Sequence, residues 1–291
     1  MATMTATMTP TMAVHMATDD SDASDAVHQE TYQGLIDEIA RLRTDIAQIL
    51  ARIEEIRQQE IPQIKADYAT TIGVWNTRLI TMQLEARRAK RRCALARMSV
   101  NHGATVDAEA ITRQLDEEFK QWRQQAVEER RRLRDLLRWR SSRSPMEPSK
   151  SKELNRLFRS LARRFHPDLF PGDDTRADYY AMACNALANG DLALMQALDA
   201  ATADMTDHVD YSRLTTDELR IERELLEQHL SACKASLDEL TSTEPYTLRE
   251  RLADPDWVSG VVDGLRTRVE EFSKEKAHYD GLYEHMVKEA R

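Results

Sequence analysis

The stretch LIDEIARLRTDIAQILARIEEI, residues 35–56, spaces Leu35, Ile39, Leu42, Ile46, Ile49, Ile53 and Ile56 alternately four and three apart. An α-helix turns once in about 3.6 residues, so this alternation draws the apolar side chains into one narrow stripe, the seam of a coiled coil. The next apolar series, Tyr68, Ile72, Trp75, Leu79, Met82, Ala86, Ala89, Cys93 and Ala96, is out of phase with the first. Pro62 accounts for the change: it disfavours helix at Ile61 and suits the first turn of a new helix, so a break is expected there. The second helix is expected to close near Gly103, which tolerates the left-handed conformation. A third, from about Asp107, carries Ile111, Leu115, Phe119, Trp122, Ala126, Leu133 and Leu136. Small residues late in the second helix allow close approach, so residues 31–143 are read as an antiparallel coiled-coil bundle.

Downstream the theme returns. Leu219, Leu226, Leu230, Cys233, Leu237 and Leu240 form one seam, and Val258, Val262, Leu265, Val269, Phe272, Tyr279 and Met286 form another. The connection TSTEPYTLRERLADPD holds two prolines and several turn formers. Residues 206–291 are therefore expected to form an antiparallel helical hairpin, its arms closing on each other or on a second copy as a homodimer.

Composition agrees with an all-α chain: of the 291 residues, 31% are charged, 6% are aromatic, and only eight are glycine and eight proline. The net charge of −9 argues against a whole-chain affinity for nucleic acid. The basic runs at residues 87–97 and 130–143 raise that possibility locally, but clustered arginines on bundled helices are read as exposed or paired with acidic neighbours. Cys93, Cys184 and Cys233 lie far apart without a Cys-x-x-Cys pair, which points to neither a disulfide framework nor a zinc site and fits a reducing cytoplasm. His278 and His285 lack neighbours with metal spacing and are read as solvated. Residues 1–30 contain no Lys or Arg and no sustained apolar run, so they are read as a disordered tail rather than a targeting sequence. No apolar run is long enough to span a membrane.

Residues 144–205 read differently. After a Ser-Pro-Met-Glu-Pro-Ser-Lys linker, Leu154, Leu157, Phe158, Leu161 and Phe165 share one stripe of a helix. Lys152, Arg156, Arg159 and Arg163 lie on the opposite side, flanked by Arg164. Pro167 ends this helix by forcing His166 out of the helical region, which displays His166 and Asp168 on a loop. Asp173 or Asp174 can cap a second helix with an apolar face of Tyr179, Tyr180, Ala183, Ala186 and Leu187. Gly190 can end it, and Asp191 can cap a short third helix.

Two short helices joined by a His-Pro-Asp loop resemble the J domain, through which DnaJ-type co-chaperones engage the DnaK-class heat-shock chaperones. The resemblance covers residues 149–200, and the flanking arms are similar to those of bacterial members in which coiled coils surround the module. It implies that the basic helix, with Lys152, Arg156, Arg159, Arg163 and Arg164, docks against the ATP-bound chaperone. It implies also that His166, Pro167 and Asp168 trigger ATP hydrolysis in that partner. The chain would then be no enzyme itself, with no cofactor, and the arms would choose clients or mediate self-association. Leu169 and Phe170 stand where the family's loop is commonly basic and polar, and the family's opening helix has no counterpart before Ser149. The contrasting reading is a coiled-coil scaffold or adaptor in which the J-like segment is a degenerate spacer. No P-loop, Gly-x-Ser-x-Gly or His-Glu-x-x-His pattern supports a hydrolytic site.

Overall fold

A computed structural model describes residues 31–142 and 146–289, and among these every regular element is helical. The chain is all-α. The tail at residues 1–30 lies outside the described residues. No helix among them is long and apolar enough to cross a membrane.

Helix α1 (Tyr32–Glu55) opens with a cap, the Thr31 hydroxyl accepting from the Gly34 N–H at 3.1 Å. The break expected at Pro62 is not a break. The chain passes through a π-helical turn (Ile56–Glu60) into α2 (Ile61–Tyr68), then through a second (Ala69–Gly73) into α3 (Val74–Asn101), and the backbone stays helical at each junction. Pro62 has no N–H, and its ring would meet the carbonyl four residues back in a regular helix. The wide turn before it relieves both problems, Ile61 bonding back to the Ile56 carbonyl. Each π turn holds one extra residue, so the out-of-phase seams belong to one continuous helical path.

After Gly103, whose φ of 69° closes α3 as its sequence position suggested, the chain turns back. Helices α4 (Ala108–Glu118, capped by Asp107) and α5 (Lys120–Ser141) descend along α3. Arg88 and Arg91 meet Asp116 and Glu118 at one end, whereas Arg140, farther along the returning chain, meets Asp67, earlier on the outgoing one, so the returning chain runs antiparallel to it. These pairs take up Arg88, Arg91 and Arg140 of the two basic runs. Arg91 holds Glu118 through two hydrogen bonds of 2.8 and 2.9 Å, and with Gln114 brings its carboxyl down to about 2. Arg92 reaches Asp280 at 2.7 Å, and Arg87 stacks over Trp122.

The C-terminal hairpin is not formed. Helix α9 (Thr216–Ser242) packs along α1, the short α10 (Leu248–Leu252) sits beside α2, and α11 (Pro255–Glu289) packs along α3. Residue numbers climb together on both sides: Glu38 with Arg223, Glu60 with Arg249, Lys90 with Glu275 and Arg92 with Asp280. The pairing is therefore parallel, and the heptad seam is filled within one chain. The cause lies upstream of α9. Residues 206–215 return to the start of α1, where the Tyr32 hydroxyl donates to the Tyr211 carbonyl at 2.8 Å and Leu219 joins Leu35 and Ile39 in one core. Beginning there, α9 can only climb, and the prolines after it interrupt the helix beside the Pro62 region without reversing it. Thr215 and Glu218 bond reciprocally across its first turn, a capping box.

Between the two halves lie α6 (Pro148–Phe165), α7 (Asp174–Asn189) and α8 (Leu192–Ala201). Gly190 ends α7 at φ 68°, and Asp191 caps α8 by accepting from the Leu194 N–H at 2.9 Å. The expected stripe, Leu154, Leu157, Phe158, Leu161 and Phe165, is buried against Ala183, Ala186, Leu187, Met195 and Leu198. One residue of α1, Ala51, completes this core, so the three-helix unit is seated on the arm by shared apolar burial.

Candidate functional site

The site is built where α6 ends. Helices α6 and α7 run antiparallel, Arg176 donating to the Arg164 carbonyl near the loop while Gly190 meets Met146 at the far end. His166 takes an extended conformation (φ −60°, ψ 129°), as Pro167 requires of its predecessor. The loop then folds on the histidine. Its carbonyl accepts from the Leu169 and Phe170 N–H groups at 2.9 and 3.2 Å, and its Nδ1 accepts from the Asp168 N–H at 3.1 Å. The ring packs edge-on against Tyr180, centroids 4.6 Å apart.

The expected display holds for Asp168, which faces solvent with Pro167, but not for His166, which is 8% exposed because its ring packs on Tyr180 and faces the arm. A cavity of about 330 Å³ separates the loop from the arm and is lined by His166, Asp168, Glu54, Arg57, His229 and Cys233. The Asp168 carboxylate stands 3.6 Å from His229 Nε2. Burial pushes the pKa of His166 below the ordinary 6.5, with His229 acting in the same direction and Asp168 and Glu54 against it. A folded-state pKa below the unfolded one means that the unfolded chain takes up the proton more readily. Stability from this group is therefore full above about pH 6.5 and is lost as pH falls through the folded value. Urea midpoints measured from pH 7 down to pH 5 should fall, and a His166→Gln variant should show a shallower decline; parallel slopes would remove His166 as the cause.

The basic face divides. Arg156, Arg159 and Arg163 are exposed and line a cleft of about 590 Å³ between α6 and α1, and Lys152 is exposed on the same helix. Arg164 does not join them. Its side chain is only 12% exposed, pairs with Asp199 and donates to the Thr202 carbonyl at 2.7 Å, tying α6 to α8. In its place the cleft takes Arg52 from α1, and each of its four arginines meets a carboxylate at the margin: Arg52 pairs with Glu60, Arg156 with Glu153, Arg159 with Glu55, and Arg163 lies 3.6 Å from Asp207. No local signal distinguishes Arg52, because only the seating of α6 on Ala51 brings it there.

Two more arm residues act on the site from more than a hundred positions away. Glu55 accepts from Arg159 Nε and Nη2 at 2.7 and 2.9 Å, with Arg52 at 3.5 Å, although its side chain is only 2% exposed. This bidentate pair aims the Arg159 guanidinium and raises its pKa. Arg43 Nη2 donates to the Leu169 carbonyl at 2.7 Å. The Glu55 pair should be asymmetric to mutation. Arg159→Ala strands a buried carboxylate with Arg52 alone and should cost about 2–3 kcal/mol, whereas Glu55→Gln leaves a guanidinium that water can reach and should cost about 1 kcal/mol or less. Chemical denaturation of the two variants checks the order; a larger loss for Glu55→Gln would refute it.

The sequence-predicted residues thus fall into two groups separated by α1. Helical spacing sets Thr44, Gln48, Arg52 and Glu55 on one flank of Ala51, toward the arginine cleft. It sets Leu50, Ile53 and Glu54 on the other flank, toward the loop. Among the described residues no group of His, Cys, Asp and Glu is arranged to hold a metal ion, and all three cysteines are free. The chain matches no family model, no curated protein and no solved structure.

Proposed function

We propose that the chain is a J-domain-type co-chaperone that engages a DnaK-class chaperone through α6 and the His-Pro-Asp loop and stimulates ATP hydrolysis in that partner. The observation that carries this reading is the loop itself. His166, Pro167 and Asp168 cap an antiparallel helix pair whose first helix offers exposed Arg156, Arg159 and Arg163. Exposed guanidiniums hold their charge at any physiological pH and bind carboxylates in pairs of hydrogen bonds, which suits an acidic protein surface. The chain supplies no hydrolytic chemistry in this scheme. The arms carry client or target choice, in a cytoplasmic setting where the chaperone is available. The test is the steady-state ATPase rate of a purified DnaK-class chaperone with and without the protein; no rise would sink the reading.

A second reading is favoured by one observation, the burial of His166 beneath the arm. On that reading the protein is a coiled-coil scaffold in which the J-like unit is a spacer. Affinity capture that recovers other partners but no heat-shock chaperone, with ATP present, would select it.

A further inference from the structure

The loop is fastened to the arm by residues that no J-like helix contributes. Leu169 is 4% exposed and belongs to the same core as Leu35, Ile39, Ile46 and Leu219 of the α1–α9 pair. Arg43 holds its carbonyl, and Phe170 lies between the guanidiniums of Arg43 and Arg176, 5.0 and 4.0 Å from its ring centre. His229 of α9 faces Asp168. These contacts explain two departures from the expected loop chemistry: Leu169 and Phe170 are apolar because the arm receives them. They also turn His166 inward, toward Glu54 and Tyr180, while the arginine cleft on the other flank of α1 stays open.

We infer that the α1–α9 pair is an intramolecular clamp on the His-Pro-Asp loop, so that a partner can dock on the arginine cleft but reaches His166 only when the loop lifts off the arm. The inference rests on the co-chaperone reading and names its regulation. The clamped and lifted loops are two states of one molecule, and a partner that binds the lifted state better shifts the chain toward it. Any change that weakens the anchors raises the lifted population before the partner arrives and so strengthens its apparent binding.

The full-length double variant Arg43→Ala, Leu169→Gln removes the carbonyl donor and the apolar anchor together and leaves α6 untouched. Two readouts apply. The first needs no partner: alkylation of Cys233, which lines the cavity under the loop, with Cys93, buried in α3, as the internal control for global opening. Cys233 should react several-fold faster than in wild type while Cys93 does not change. The second is the chaperone ATPase rate, which the variant should raise several-fold above the wild-type effect. Unchanged Cys233 reactivity overturns the clamp, and so does faster labelling with no gain over a wild type that stimulates. If neither protein stimulates, the co-chaperone reading fails, and the labelling alone decides whether the loop is clamped. Should Cys93 react as fast as Cys233, the arm has come apart, and the single variant Arg43→Ala, which keeps Leu169 in place, carries the same comparison.

Discussion

Replacing His166 with glutamine is expected to leave the protein folded and to return the partner chaperone to its unstimulated ATPase rate, a loss of at least about tenfold in stimulation, or roughly 1.4 kcal/mol. The structural side of this expectation is specific. Glutamine can keep an acceptor near the Asp168 N–H, which His166 Nδ1 meets at 3.1 Å. What it loses is the edge-on ring contact with Tyr180, about 0.5–1.5 kcal/mol. Circular dichroism should therefore be unchanged at 25 °C while the functional effect disappears. The experiment is best run in both the wild-type and the loop-released backgrounds, because the clamp reduces stimulation whatever residue stands at 166. Stimulation equal to that of the parent in both backgrounds would mean that the histidine does nothing for the partner.

Phe158→Ala should give the largest loss of stability. Phe158 has no exposed surface and sits at the centre of the α6–α7–α8 core, with Tyr180 at 6.2 Å and Leu154, Leu161 and Ala162 on its own helix. Close packing leaves little room to collapse around the missing ring, so about 3–5 kcal/mol is expected. The loss should be local. Trp75, Trp122, Trp139 and Trp257 all lie outside these three helices, and the α3–α4–α11 core shares no residue with them. Urea titration followed by helical circular dichroism should then show an early phase that tryptophan fluorescence does not report. A single coincident transition would show that the small unit and the arms unfold as one, coupled through Ala51 more strongly than its area suggests.

The helices of the central unit could be read nearly residue by residue, and the reason is that their signals are short-ranged. Pro167 acts on its immediate neighbour, Asp173 and Asp191 cap within three residues, Gly190 supplies its own positive φ, and the Leu154–Phe165 stripe needs only helical periodicity. Pro62 misled because the sequence shows the missing N–H but not the π turn that absorbs it. Arg164 misled because it sits at the edge of the basic face, and Asp199 and Thr202 of α8 claim its guanidinium only once α6 and α8 are packed. Leu169 and Phe170, unexplained as loop residues, became legible when the surface they rest on was in view.

By itself, then, the sequence determined the all-α class, the helix ends in the central unit, and the exposure of Asp168 beside a basic helix, but not the burial of His166, which local rules would display with it. Capping, periodicity and proline sterics act within one or two turns, so they are complete in any local stretch. Tertiary structure alone decided that α9 and α11 climb beside α1 and α3 instead of folding on each other. It decided as well that Glu55, Arg52, Arg43 and His229 reach the site. A heptad seam specifies only that an apolar stripe be covered, and a parallel neighbour, an antiparallel neighbour or a second copy would each cover it. The choice fell to residues 206–215, whose path back to Tyr32 and Leu35 sets where α9 starts and hence which way it must run.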